Sequence, residues 1–204
     1  MHGAQCAATV ICNMFTLRDF TAQDLPEAGK IALQLWGNEV PDMPPEVRKS
    51  VYDYLARYYF NAASPFNLAA ACGGRLQALL LASDEEFVPP PLPEDLPEAV
   101  LKYLTDYRKY LDGNRHLEKR YTRYGDVQLL FFASIRPGCG KLLMDEFIRR
   151  LRQYNYNSMI LWSDNTCNYQ YYLEHGFELL HRQIAEPGLE NIPLETMIFR
   201  KELA

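Results

Sequence analysis

Hydrophobic and polar positions recur along the chain with two different periods, which predict where strands and helices lie. Apolar residues at every second position predict strands, because alternate side chains of a strand face the same side of a sheet. Apolar residues three and four positions apart predict helices, because those positions share one helical face. In the first half these patterns predict a strand over 14–20, helices over 21–36 and 46–63 joined by loop 37–45, and a hairpin over 66–83.

The regular pattern breaks over residues 84–125, between the hairpin and the next strand. Residues 84–99 are acidic and rich in proline, which is typical of a stiff loop. An amphipathic helix follows, and we expect it to end near Asp112-Gly113, because glycine is common at helix C-termini. Since connections of this length often form lids or interfaces, we expect a helical insert that covers a site or contacts a second copy in a homodimer.

The second half alternates strand patterns with helix patterns. Two runs that are apolar on both faces predict buried strands, and a helical pattern follows each of them. Such an alternation implies some parallel pairing, with helices on the faces of the sheet. We expect strand 126–135, helix 139–155, strand 158–162, helix 163–176, and strands 177–184 and 194–203. The chain is therefore predicted to form one α/β (α+β) domain over 14–204, preceded by a loose N-terminal extension at 1–13.

Composition and charge exclude several classes of function. The 204 residues are 48% hydrophobic and 23% charged, as in an ordinary globular protein. The net charge of -5 argues against a nucleic-acid partner, which usually meets a basic patch, and suits a cationic or amine substrate. No apolar run reaches the roughly 20 residues of a membrane helix, so no membrane partner is expected.

The spacing of cysteine and histidine predicts a reduced protein without a metal site. None of the five cysteines forms a CxxC pair, which favours free thiols and a cytoplasmic location. The four histidines show no HxxxH spacing, so a zinc site is not predicted.

The stretch "IRPGCGKLL" (135–143) joins a predicted strand to a predicted helix. A helix that starts there presents free backbone N–H groups and a partial positive charge, which together can hold a phosphate. Gly138 and Gly140 would let the backbone approach a ligand closely. Two nucleotide motifs fail, because Leu142 stands at the Ser/Thr of the P-loop and Leu143 at the last glycine of GxGxxG. Taken alone, the stretch predicts either a phosphate loop or a tight turn.

Residues downstream of this loop favour the phosphate interpretation. Asn165, Tyr172 and Gly176-Phe177 form the pattern N-x(6)-Y-x(3)-G-F. The chain resembles the GNAT acyltransferase family in the order of these features: a strand, the loop "GCGKLL", a helix, a second strand, and then the Asn, Tyr and Gly-Phe positions. The resemblance implies a central mixed, mostly antiparallel sheet with a splayed parallel pair, flanked by helices. One position departs from the family, since Ile135 stands where its loop has Gln or Arg.

The resemblance also implies acetyl-CoA (CoA) as the cofactor. Its pyrophosphate would lie on the N–H groups of about Cys139 to Leu143. Its pantetheine arm would run between the splayed strands "DVQLLFFAS" and "SMILW" and pair with their edges. The expected cofactor contacts are Phe132, Ala133, Ser134, Arg136, Gly138, Cys139, Gly140, Lys141, Leu142, Asn165 and Tyr172.

The implied reaction is direct attack of a primary amine, on a small molecule or a peptide, on the thioester. Tyr172 matches the family's acid, and its phenol is protonated at neutral pH and can donate to the departing thiolate. Asp126 and Gln128 begin a strand that often carries a glutamate in this family, and Asp126 is the candidate base. A chain of water to bulk solvent could remove the proton instead. Asn165 could instead cap a helix, and Cys139 at a helix N-terminus could instead be a nucleophile.

The acceptor amine is expected near the end of the first helix and the loop that follows. Trp36, Glu39 and Asp42 are the candidate substrate-binding residues, since an aromatic ring and two carboxylates suit a cation. The resulting hypothesis is a GNAT-type N-acetyltransferase. Its alternative is a catalytically inactive acyl-CoA-binding or regulatory module that keeps the fold.

Overall fold

The structure of the protein is a computed structural model that describes residues 15–37, 44–185 and 194–203. The predicted extension at 1–13 and the candidate residues Glu39 and Asp42 lie outside the described residues. Nothing in the described ranges forms a helix both long and apolar enough to span a membrane.

Within the described residues, seven strands and five α-helices follow one another in nearly the predicted order. Each predicted strand is present, and a short 3₁₀ turn at Ala22–Asp24 precedes the first helix. The elements are β1 Thr16–Asp19, α1 Leu25–Trp36, α2 Pro45–Tyr58, β2 Leu68–Cys72, β3 Arg75–Ser83, α3 Glu98–Lys119, β4 Asp126–Ser134, α4 Cys139–Gln153, β5 Ser158–Asp164, α5 Gln170–Glu174, β6 Glu178–Ile184 and β7 Glu195–Glu202.

The strands form one sheet in the order β1-β2-β3-β4-β5-β7-β6. All neighbouring pairs are antiparallel except β4 and β5, which are parallel. Side chains of α1, α2 and α3 share one hydrophobic core on one face, while α4 and α5 pack against a second core on the other. The predicted fold class, a mixed and mostly antiparallel sheet flanked by helices, is confirmed.

The parallel pair separates soon after it begins. β4 pairs with β5 only at Asp126–Gln128, which lie opposite residues 158–160, although both strands continue for several residues. On its other side, β4 changes register against β3 at Leu130, between Leu129 and Phe131. An extra residue of this kind bends and twists a strand, so the bulge turns β4 away from β5. The predicted splay is therefore present, and it opens a cleft in the middle of the sheet.

Three helix predictions need correction. The helix predicted over 46–63 is α2, which ends at Tyr58. α3 does not end at Asp112-Gly113 but runs to Lys119, because its buried stripe continues through Leu117 and Glu118. Burial of that stripe outweighs the roughly 1 kcal/mol that a glycine inside a helix costs. The predicted helix 163–176 is only α5, Gln170–Glu174, since β5 extends to Asp164 and a turn follows.

Candidate active site

A cavity of about 420 Å³ lies where β4 and β5 separate. Its rim is formed by residues 129–134 of β4 and 162–164 of β5. On one face of the sheet the wall includes Tyr171 and Tyr172, whose rings pack against the core beneath α4. On the other face the wall consists of side chains from α1, α2 and α3. Two molecules could thus enter from opposite faces and meet between the strands.

The cleft side of β4 offers an unpaired strand edge. Among the described strands, none pairs with this side of β4 beyond Gln128. The predicted cofactor residues Phe132, Ala133 and Ser134 all lie on this edge and line the cavity. Free N–H and C=O groups of an extended strand can pair with the amides of an extended ligand, as an added strand would.

The glycine loop lies just beyond this edge, at the start of α4. Gly138 has a φ of 87°, in the left-handed region that glycine adopts without steric cost. A Cβ added to Gly140 would lie 3.3 Å from the ring of Phe132, so this glycine lets the helix approach β4 closely. The loop therefore holds the N-terminus of α4 at the mouth of the cleft.

Three backbone N–H groups of this loop lack an acceptor in the described part of the chain, those of Gly138, Gly140 and Lys141. They lie at a helix N-terminus, where the helix dipole favours an anion. The prediction that the N–H groups of about Cys139 to Leu143 would be available needs correction at two positions. The Cys139 N–H donates to a loop carbonyl at 3.2 Å and that of Leu142 to the Gly138 carbonyl at 3.1 Å.

The cationic side chains of the loop are on the surface. Lys141 pairs with Asp145 one turn along α4, and both side chains are more than half exposed. The Arg136 guanidinium lies 5.1 Å from the centre of the Phe15 ring. The backbone carbonyl of Arg136 accepts a 3.0 Å hydrogen bond from the Ser134 hydroxyl. Exposed ion pairs contribute little stability, so Lys141 can turn toward a bound anion at small cost.

Tyr172 lies on α5 at the wall of the cavity. Its ring meets Phe177 edge-on at 5.2 Å and Phe199 at 5.5 Å, and Gly176, with φ of 76°, turns the chain so that Phe177 reaches it. Burial raises the pKa of Tyr172 above its ordinary value, so the phenol stays protonated at neutral pH. The spacing of the Tyr and Gly-Phe in the sequence thus corresponds to a packed and protonated phenol.

Comparison with solved structures identifies this architecture. A protein from Desulfovibrio desulfuricans described as an acetyltransferase of the GNAT family is similar over 94% of this chain and 100% of its own, with a TM-score of 0.56 at 14% identity. The chain has the GNAT fold. The PaiA N-acetyltransferase of Thermoplasma acidophilum in complex with coenzyme A matches 91% of this chain and 98% of its own (TM-score 0.52, 10% identity).

A third solved structure with this fold is the C-terminal condensation domain of Ebony in complex with β-alanyl-dopamine. It matches 93% of this chain and 99% of its own, with a TM-score of 0.63 at 9% identity. No model of a protein family matches the sequence, and no curated protein matches it significantly. The likeness is therefore one of fold, and the site must be interpreted from its own residues.

Asp126 is not brought to the cleft of this GNAT fold. It is the first residue of β4, about 20 Å along the strand from Phe132–Ser134. Its carboxylate accepts hydrogen bonds from Arg200 at 2.8 Å, from the Ser158 hydroxyl at 2.6 Å and from the Arg123 N–H at 2.6 Å. Burial alone would raise the pKa of Asp126, but these hydrogen bonds lower it below its ordinary value. The geometry is that of a structural ion pair.

Cys139 and Asn165 also occupy positions different from those the sequence suggested. The Cys139 side chain is buried in the core beneath α4, and burial raises the pKa of its thiol, which argues against a thiolate nucleophile. Asn165 does not cap α5 and does not line the cavity. Its side-chain oxygen accepts a 3.0 Å hydrogen bond from the Glu195 N–H and so joins the end of β5 to β7.

Two cavity residues were not found from the sequence. Asp164, the last residue of β5, and Tyr110, on α3, meet in the cavity wall through a 2.8 Å hydrogen bond from the Tyr110 hydroxyl. Trp36, a predicted substrate residue, lines the same cavity and contacts Phe131 at 5.5 Å between ring centres. Only the stripe of tyrosines on α3 hinted at Tyr110, and such stripes more often belong to a core.

Nothing in the described ranges resembles a metal centre, since no cluster of three or more His, Cys, Asp or Glu side chains could hold an ion. Among the described residues, the cleft offers backbone N–H groups, a strand edge, the phenols of the tyrosines, the carboxylate of Asp164 and the side chains of Thr166, Cys167 and Asn168.

Proposed function

We propose that the protein is an acetyl-CoA-dependent N-acetyltransferase that transfers the acetyl group to a primary amine by direct attack. The observation that carries the proposal is the cleft between β4 and β5. A free strand edge and a protonated tyrosine line the cavity there, and three N–H groups at a helix N-terminus lie close to the end of the same strand. Each corresponds to one part of acetyl-CoA: the pantetheine amides, the pyrophosphate and the thioester sulfur.

In this proposal the cofactor enters from the face of α4 and α5. Its pyrophosphate accepts hydrogen bonds from the N–H groups of Gly138, Gly140 and Lys141. Phe132, Ala133 and Ser134 pair with the pantetheine arm, which brings the thioester to the bend of β4. The coenzyme A complex of the similar Thermoplasma protein supports the choice of cofactor.

The chemical step needs three proton or charge movements. The acceptor ammonium gives one proton to water, and its nitrogen forms a bond to the acetyl carbon. The nitrogen then gives up a second proton as the carbon–sulfur bond breaks, and this proton replaces the one that Tyr172 gives to the thiolate. A backbone N–H of the β4 edge stabilises the developing oxyanion, and Tyr172 donates its proton to the departing thiolate. We assign the removal of the ammonium proton to water in the cavity, because the Asp126 carboxylate is bound to Arg200 at the start of β4, away from the cleft.

The proposal is tested by incubating the full chain with acetyl-CoA and a panel of primary amines. Release of free CoA thiol, together with an acetylated amine identified by mass spectrometry, is the expected result. Binding of acetyl-CoA without amine-dependent thiol release would refute the enzymatic activity and favour an acyl-CoA-binding module. Absence of any binding would overturn the assignment of the cofactor.

A further inference from the structure

The α3 side of the cavity is an aromatic chamber. We use this name for Trp36, Tyr59, Tyr107, Tyr110, Phe131 and Trp162, all of which line the cavity. Tyr110 stacks with Tyr107 at 6.2 Å and meets Trp162 edge-on at 5.9 Å. On the opposite wall, Phe131 stacks with Tyr59 at 6.0 Å. Rings from α1, α3, the residue that follows α2, and two strands thus enclose one side of the cleft.

One carboxylate lies in the wall of this aromatic chamber. Asp164 is only 8% exposed. Its Oδ1 accepts hydrogen bonds from the Thr166 hydroxyl at 2.6 Å, the Thr166 N–H at 3.0 Å and the Cys167 N–H at 3.2 Å. Among the described residues, only Tyr110 donates to its Oδ2, at 2.8 Å. Oδ2 therefore keeps a free acceptor direction.

This carboxylate has no cationic partner within the described ranges of the chain. No Lys, Arg or His there makes an ion pair with Asp164, in contrast to Asp126, which holds Arg200 at 2.8 Å. A buried charge is costly unless an opposite charge accompanies it. Tyr110 cannot supply that charge, because a phenol is never cationic. Burial and the neighbouring Asp164 raise the pKa of Tyr110, so it stays a neutral donor. The missing charge is that of a ligand.

An ammonium ion carried on an aromatic group matches both features of the chamber. The ammonium would meet Oδ2 of Asp164 and the faces of Tyr110 and Trp162, which attract cations. The aromatic group of the ligand would pack against the remaining rings. Since the cavity of about 420 Å³ must also hold the acyl end of the cofactor, it suits a small molecule better than a peptide.

From this geometry we infer that the acceptor is a small aromatic or arylalkyl primary amine, held in the aromatic chamber by Asp164 with Tyr110 as its positioning residue. The inference rests on the proposed function for the fate of the amine, but the binding itself does not depend on turnover. Asp164 binds the ammonium, and the Tyr110 hydroxyl fixes the orientation of the Asp164 carboxylate.

The test compares three probes on the full chain by isothermal titration calorimetry, with and without CoA. 2-Phenylethylamine carries both ring and charge, 2-phenylethanol carries only the ring, and ethanolamine carries only the charge. The expected result is that 2-phenylethylamine binds at least about 10-fold more tightly than either of the others, the range for a hydrogen bond to a charged group. Equal affinity for the amine and the alcohol, or for the two amines, would overturn the inference.

The variant Asp164→Asn removes the charge but keeps an oxygen for Thr166 and Cys167. This variant is expected to bind 2-phenylethylamine about 10- to 100-fold more weakly, with a nearly unchanged affinity for 2-phenylethanol. Tyr110→Phe is expected to weaken the amine less. Its matched control is Tyr58→Phe, which loses a similar 2.6 Å bond to Asp112 but does not line the cavity. An Asp164→Asn protein with wild-type circular dichroism and unchanged amine affinity would contradict the assignment.

Failure of this inference can be distinguished from failure of the proposed function. Binding of 2-phenylethylamine without acetyl transfer to any amine would refute the proposed transferase activity but support the aromatic chamber as an amine-binding site. Acetyl transfer to ethanolamine with no preference for 2-phenylethylamine would support the transferase activity but refute the aromatic chamber as the site that selects the amine.

Discussion

At the scale of single residues, Tyr172 is the proposed acid of the reaction. Tyr172→Phe keeps the ring contacts with Phe177 and Phe199 but removes the proton that the thiolate needs. We expect kcat to fall by about 100-fold or more, with the KM for acetyl-CoA nearly unchanged. Steady-state thiol release measures both constants. Tyr171→Phe, which also lines the cavity on α5, is the control and should stay close to wild type; equal losses in both variants would refute the acid role.

A second prediction at this scale concerns Asp126. Because its side chain is fully buried against Arg200, Asp126→Asn should lower the free energy of unfolding by about 3–5 kcal/mol. Urea denaturation followed by circular dichroism measures that loss. The kcat and KM of the protein that remains folded at low temperature should not change, since Asp126 is remote from the cleft. A loss of kcat without a loss of stability would restore Asp126 as a base.

Sequence and structure agree at these positions to different degrees. Tyr172 and the glycines of the loop were found because they lie at fixed spacings within one stretch of chain. The pair Tyr110 and Asp164 was not found, because its two members lie 54 residues apart and meet only when α3 packs over β5. No local pattern carries that information.

At the scale of elements, the start of α4 is the proposed anion site. Gly138→Ala should weaken the binding of CoA, because alanine resists the left-handed conformation and would move the loop. Gly73→Ala is the matched control, since Gly73 has a φ of 57° and open space around it, but lies in the β2–β3 turn. Both variants should lose about 1–2 kcal/mol of stability.

Calorimetric titration with CoA separates the two glycines. Only Gly138→Ala should bind CoA more weakly, and acetyl-pantetheine, which lacks the pyrophosphate, should bind both variants equally. An equal effect of the two substitutions on CoA affinity would show that α4 does not hold the pyrophosphate.

The helices and strands also show which features the hydrophobic periodicity of the sequence can predict. The period of 3.6 placed α3 correctly, but Gly113 suggested an end that the buried stripe overrides. The bulge at Leu130 left no sign in the sequence, since it depends on the register between β3 and β4. The splay was therefore expected from the family resemblance, not from the strand pattern.

At the scale of the whole molecule, stability should depend on the protonation of Glu118. This side chain is 1% exposed on α3, and its Oε1 has no hydrogen-bond partner in the described part of the chain. Burial, together with repulsion from Asp126, raises its pKa from 4.5 to about 8 in spite of the nearby Arg115. Between those pH values the folded protein keeps a proton that the unfolded chain has lost.

The free energy of unfolding should consequently fall as the pH rises from about 4.5 to about 8, by at most about 1.4 kcal/mol per pH unit from this group. Glu118→Gln should remove that contribution, so the variant should gain stability relative to the wild type as the pH rises. Urea denaturation of both proteins across the pH range measures the difference. Parallel stability curves would show that Glu118 is ionised throughout.

The central claim at this scale is that one cleft through the sheet receives CoA. It is tested most directly by following the backbone amide signals of the protein by NMR during a titration with CoA. We expect the largest shifts at Gly138, Gly140 and Lys141 and along 129–134 of β4, with little change at the far end of the sheet in β1. Saturable CoA binding that leaves these signals in place, or shifts that concentrate elsewhere, would contradict it.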